Sequence, residues 1–197
     1  GDKELAFWKE EELIEFMRDV YDPKIAAKSG TIFVPQATVP NEARMGLTPI
    51  GIRLLRELGV SKRIVVEEGS GVNRFTGEVY FPDQAYREAG AQVVGAEIFA
   101  QMAEAENINK FVVSIKEPQP REFRFYRNAV GFTYFHLADM PELTKKLLQE
   151  FKIKAAVAYE TIVTIFRGLP FIPVLAPASH NAGWESAVRF AAVVAAE

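Results

Sequence analysis

The chain contains no cysteine. Disulfides, thiolate nucleophiles and cysteine-ligated metals are therefore excluded, and the absence fits a cytoplasmic protein. Histidine is almost missing as well, with His136 and His180 the only two. No carboxylate stands at diagnostic metal-ligand spacing from either, so no metal is expected. No apolar run approaches the ~18 residues of a membrane span. The charged start, Gly1-Asp2-Lys3-Glu4, does not read as a signal peptide. A basic excess is also lacking. The formal net charge of -3 at pH 7 argues against a general nucleic-acid binder.

What is present is ordinary globular material. A chain of 197 residues suits one compact domain with a real core. Leu13, Phe16, Met17 and Val20 form one apolar helical face in the first segment, which Pro23 ends. Short apolar runs at Thr31–Val34, Ile64–Val66, Val93–Val94, Phe111–Ile115, Val130–Phe135 and Ala155–Tyr159 read as strands. Helices are expected between them. One is announced by Thr48-Pro49, carries Ile50, Leu54 and Leu58, and stops at Gly59. Others are expected from an Asp83 cap to Ala89, from Ala96 to Glu106, and from Pro141 to Phe151 with Leu143, Leu147 and Leu148 inward. Thr161–Phe166 and Leu169–Leu175 are expected to pair as a hairpin, and Ala182–Ala195 to form a last helix. Alternating strands and helices imply a mostly parallel α/β sheet. Ligands of such sheets bind beyond the carboxyl ends of the strands.

Five stretches recur in order as family motifs. They are Asn41-Glu42-Ala43-Arg44-Met45-Gly46-Leu47-Thr48-Pro49, Ile115-Lys116-Glu117-Pro118, Phe132-Thr133-Tyr134-Phe135-His136-Leu137-Ala138, Ala158-Tyr159-Glu160-Thr161, and Pro170 to Pro177. Together they resemble the N-terminal, substrate-binding domain of the alanine dehydrogenase and transhydrogenase α-subunit family. The resemblance implies a Rossmann-like (flavodoxin-like) fold over residues 31–197, with helices on both faces, preceded by a helical extension over residues 1–30. It implies that Arg44 holds a substrate carboxylate, that Lys116 stands beside the substrate carbonyl, and that His136 exchanges protons. It places Tyr134, Ala178, Ser179 and Trp184 around the same pocket. The chemistry is coherent: a guanidinium fork suits a carboxylate, and an imidazole titrates near neutrality. Taken singly, Arg44 and Lys116 also read as solvated surface cations and His136 as a hydrogen-bonded structural histidine.

The departures from the family pattern shape the functional expectation. The chain has no G-x-G-x-x-G, and Gly69-Ser70-Gly71 reads as an ordinary loop. No cofactor site is therefore expected in it. The family's "A-P-M-S-E-x-A-G-R" appears as Ala176-Pro177-Ala178-Ser179-His180-Asn181-Ala182-Gly183-Trp184. Loss of a Met at Ala178 and gain of an indole at Trp184 suit a larger ligand, or follow from drift. Three functions are open. The first is a non-catalytic accessory protein that binds an amino-acid or peptide carboxylate, in the manner of peptide natural-product biosynthesis. The second is the substrate-binding part of a split dehydrogenase or transhydrogenase, completed by a partner enzyme. The third is a nicotinamide-independent enzyme using His136 and Lys116. A homodimer through the terminal helices is a further expectation. Neither nucleic acid nor a membrane is an expected partner.

Overall fold

The computed structural model describes residues 30–158, apart from 40, 41, 43, 62, 108 and 137–139, together with residues 164–166. The expected helices at Leu13–Val20 and Ala182–Ala195, and the run Leu169–Leu175, lie outside the described residues.

One seven-stranded sheet is built from β1 (Thr31–Val34), β2 (Arg63–Glu67), β3 (Gln92–Val94), β4 (Lys110–Val113), β5 (Ala129–Thr133), β6 (Ala155–Ala158) and β7 (Thr164–Phe166). Strands β1, β4 and β5, buried throughout, form its centre. Their spatial order is β3-β2-β1-β4-β5-β6-β7. The first six run parallel, and β7 lies antiparallel on β6, with Ala155 opposite Phe166. Within the doubly wound class this is the Rossmann order, not the 2-1-3-4-5 order of flavodoxin. The chain runs outward from β1 to β3, then returns to place β4 on the other side of β1. That reversal opens a crevice at the carboxyl ends of β1 and β4.

Alternation along each strand sends successive side chains to opposite faces. Ile32, Val34, Ile64, Val66, Val113 and Phe132 pack on one face with α1 (Pro49–Glu57) and with Tyr86 of α2 (Asp83–Glu88). Phe33, Val65 and Val112 pack on the other with Phe99, Ala100 and Ala103 of α3 (Ala96–Ala105). Phe125 and Tyr126 of a 3₁₀ turn (Phe123–Tyr126) join them, as do Leu143 of α4 (Pro141–Lys145) and Leu147 just beyond it. Edge-to-face contacts knit this side, with ring centroids 5.7 Å apart for Phe33–Phe99 and 5.2 Å for Phe99–Phe125.

Helix α1 starts as its sequence dictates. The Thr48 hydroxyl accepts the Gly51 N–H at 3.2 Å, Pro49 opens the helix, and Gly59 takes φ +69 beyond its end. Three local expectations are corrected. Pro82, not Asp83, is the N-cap of α2; Asp83 begins the helix and its Oδ1 accepts the Gly69 N–H at 2.9 Å. Leu148 is exposed, because Leu143 and Leu147 stand four apart on one face while Leu148 falls on the next. Strands β4 and β5 end at Val113 and Thr133, before Ile115 and Phe135, because the chain turns there to form the crevice loops. Of the expected hairpin, only Thr164–Phe166 is described, and it pairs antiparallel with β6.

At the opposite, amino end of the sheet, Lys110 is fully buried. Its Nζ donates to Ala103 O at 2.7 Å, satisfying a carbonyl in the last turn of α3. Burial pushes its amine down to about 8.

Candidate functional site

The loop leaving β1 crosses the end of β4 before entering α1. A glycine is required where it crosses: a Cβ on Gly46 would stand 2.4 Å from Val113 O. The loop is also tied from the helix side. The buried Tyr86 hydroxyl donates to Leu47 O at 3.1 Å, and burial raises that phenol above its ordinary range.

This crossing carries Glu42 and Arg44 into the crevice. One Glu42 carboxylate takes three hydrogen bonds from Arg44. Oε1 accepts the backbone N–H at 2.8 Å and Nε–H at 2.7 Å, and Oε2 accepts Nη2–H at 2.6 Å. The Glu42 side chain is 5% exposed and that of Arg44 30%. Burial works to raise the Glu42 carboxyl. The Arg44 bonds and the nearby Lys116 charge outweigh it and hold the group below its ordinary range. The guanidinium lies over the Tyr134 ring, 5.1 Å from its centroid.

Lys116 follows β4, and its backbone is fixed by β5. Its carbonyl accepts from Thr133 Oγ1 at 2.7 Å and from Ser114 Oγ at 3.4 Å. His136 follows β5 with φ +51, a left-handed conformation that costs a residue with a side chain about 1–2 kcal/mol. Its carbonyl accepts the Met140 N–H at 3.0 Å, and its Nε2 stands 3.7 Å from Glu117 Oε2. The carboxyl ends of β1, β4 and β5 thus bring together Arg44, Lys116, Tyr134 and His136. Ala178, Ser179, His180 and Trp184 lie outside the described residues. Among the described residues, no three His, Asp or Glu side chains are grouped to hold a metal ion, and no helix is long and apolar enough to cross a membrane.

Two features went unread in the sequence. Beside Glu117, a cavity of about 210 Å³ opens between Pro118, Phe123, Met140 and Leu143. The second is a buried ionic cluster over β1 and β2. Arg121 donates to Glu67 Oε1 at 2.9 Å and Oε2 at 3.0 Å, and to Gln36 O at 3.1 Å. The Gln36 N–H donates to Glu67 Oε2 at 2.8 Å. Glu122 accepts from the Thr38 hydroxyl at 2.6 Å and from the Gln119 N–H at 3.1 Å. Burial raises the Glu122 carboxyl, only partly offset by these donors and by Arg121. The available signal was Glu67 itself, a charge at the end of the buried run Ile64-Val65-Val66.

This cluster bears on whether the described residues fit a dinucleotide. They do not. The β1 turn carries Pro35, and its Gln36 N–H is already taken by the buried Glu67 carboxylate and its Thr38 hydroxyl by Glu122, in place of a row of free backbone N–H groups. Gly69-Ser70-Gly71 leads into a Val72–Val79 bridge instead of a helix, and Gly71 is packed on Phe81 O.

Comparison with known proteins gives the family and the fold. A family model described as "Alanine dehydrogenase/PNT, N-terminal domain" matches residues 33–182. Alanine dehydrogenase of Staphylococcus saprophyticus is 36% identical over 157 residues, covering 79% of this chain and 38% of its own length. Alanine dehydrogenase 2 of Staphylococcus aureus is 35% identical over the same length, covering 79% of this chain and 37% of its own. Among solved structures, an L-alanine dehydrogenase superposes with a TM-score of 0.54 at 35% identity, covering 68% of this chain and 33% of that one. A transhydrogenase from Sinorhizobium meliloti superposes with a TM-score of 0.54 at 24% identity, over 68% and 34%, a likeness of fold. The chain spans less than two-fifths of the curated relatives' length.

Proposed function

The chain belongs to the alanine dehydrogenase/PNT N-terminal domain family, and from that premise we propose that it binds a small 2-oxo acid or amino acid at the carboxyl ends of β1, β4 and β5. The observation that carries this reading is the Arg44 guanidinium, held over Tyr134 with Lys116 acting on the same Glu42 carboxylate. Arg44 receives the ligand carboxylate through paired N–H donors. Lys116, its backbone pinned by Thr133, donates toward the 2-oxo oxygen and steadies negative charge that develops there. His136, beside Glu117, is placed to give or take the proton at that oxygen or at the amino nitrogen.

The described residues do not fit a dinucleotide, so no hydride step is assigned to them. In this reading the chain is the substrate-binding part of an alanine-dehydrogenase-type enzyme, and a nucleotide-binding domain supplies the redox chemistry. The His136–Glu117 pair favours it, because recognition alone needs no proton exchange. The second reading is an accessory protein that recognises an amino-acid or peptide carboxylate. The Ala178 and Trp184 departures from the family pattern favour that one.

Calorimetric titration with pyruvate, L-alanine, a dipeptide and the matching amides separates these. Carboxylate binding that weakens at least about tenfold in Arg44→Ala, with amides inert, is the expected result. Equal binding of acid and amide would sink the carboxylate site. Preference for the dipeptide selects the accessory reading. Saturable NADH binding by the chain alone would overturn the assignment of the redox site elsewhere.

A further inference from the structure

Arg44 does not reach into the crevice as a loose side chain. The Glu42 carboxylate bonds both its backbone N–H and its side-chain Nε–H and Nη2–H, closing a ring that fixes the whole length of the arginine. The lower face of the guanidinium rests on Tyr134. Because the group is planar and its Nε–Nη2 edge is turned to Glu42, its Nη1–Nη2 edge points away from Glu42. We propose that Glu42 is the positioning residue of the site: it presets Arg44 so that a ligand carboxylate is received only on the Nη1–Nη2 edge, with the arginine's conformational freedom already spent before binding. The inference rests on the carboxylate-binding reading above.

The geometry and simple electrostatics give opposite expectations for removing Glu42, which makes the role testable. As a mere neighbouring negative charge, Glu42 would repel an incoming carboxylate, and its loss would tighten binding. As a positioning group, its loss releases Arg44 and weakens binding.

The test uses the whole chain with pyruvate as the probe, comparing Glu42→Ala, Glu42→Gln, Arg44→Ala and the Glu42→Ala/Arg44→Ala pair. Affinity is expected to fall about tenfold in Glu42→Ala and less in Glu42→Gln, which keeps one oxygen acceptor. In the Arg44→Ala background, Glu42→Ala is expected to change nothing further, since it acts through Arg44. Tighter binding in Glu42→Ala, or an equal further loss without Arg44, would overturn the proposal. A ligand-free readout runs beside these titrations: exchange of the Arg44 Nε–H proton by NMR. It is expected to be slow in the wild type and in Glu42→Gln, and fast in Glu42→Ala. Rapid exchange in the wild type overturns the proposal whatever binds. Slow exchange without pyruvate binding supports the preset arginine and defeats the pyruvate reading instead.

Discussion

Two arginines on loops at the carboxyl end of one sheet each grip a buried glutamate and do different things. Arg121 and Arg44 each form a bidentate pair with a nearly fully buried glutamate, and both are about one-third exposed, 33% and 30%. Arg121 meets Glu67 with its Nη1 and Nη2 and adds Gln36 O. Its outward fork is consumed by protein, so it is a brace that ties the β4–β5 loop across β1 and β2. Arg44 meets Glu42 with its Nε and Nη2, the side of the group and not its end. The end of the fork is left facing away from its partner. Recognition therefore depends less on having a guanidinium than on which edge the protein uses.

The two pairs separate most sharply under truncation. Arg121→Ala leaves Glu67 buried without its partner and should cost about 3 kcal/mol in urea unfolding, the low end for a buried pair because Arg121 reaches solvent. Pyruvate affinity of the protein that remains folded should change little. Arg44→Ala strands the buried Glu42 in the same way and should also destabilise, by up to about 3 kcal/mol. Only this variant should also lose about 30-fold in pyruvate affinity, near 2 kcal/mol. If both variants lost affinity equally, the division between brace and site would fail.

A smaller effect is expected where the site loop crosses the sheet. Gly46→Ala drives a methyl group into Val113 O. It should destabilise by about 1–2 kcal/mol and also weaken pyruvate binding, because Arg44 rides on that loop. A variant with normal affinity would show that the crossing does not set the arginine.

The smallest effect is in pH dependence. Glu42 is held below its ordinary value, so its contribution to stability is present above the unfolded carboxyl range and lost as pH falls through the lowered value. Glu122 is held above its ordinary value, so its contribution is full at low pH and lost as pH rises through the raised value. Acidification should weaken the site pair while relieving the brace cluster. Urea unfolding of Glu42→Gln across acidic pH should show a flatter decline than the wild type; an unchanged slope would contradict the lowered Glu42.

The legibility of these features in the sequence follows their range. Strands such as Ile32–Val34 and Ile64–Val66 were readable because a sheet covered on both faces needs unbroken apolar runs. The start of α1 was readable because Thr48-Pro49 acts within one turn. Leu148 was misplaced because a cluster of leucines hides which one turns outward. Arg44, Lys116 and His136 stand out through ordered motifs, Lys116 and His136 three residues past β4 and β5, Arg44 on the loop leaving β1. Glu42 stood in the first motif unremarked, since a carboxylate two residues from an arginine says nothing by itself about burial. The Glu67–Arg121 brace joins residues 54 apart, and no local pattern records such a pairing.

The most direct test of the account is where a carboxylate lands. Backbone and arginine side-chain NMR shifts on titration with pyruvate should move at Arg44, Lys116, Tyr134 and His136, and stay still at Glu67 and Arg121. Shifts centred on Arg121 and Gln36, with Arg44 unmoved, would contradict it and exchange the roles of brace and site.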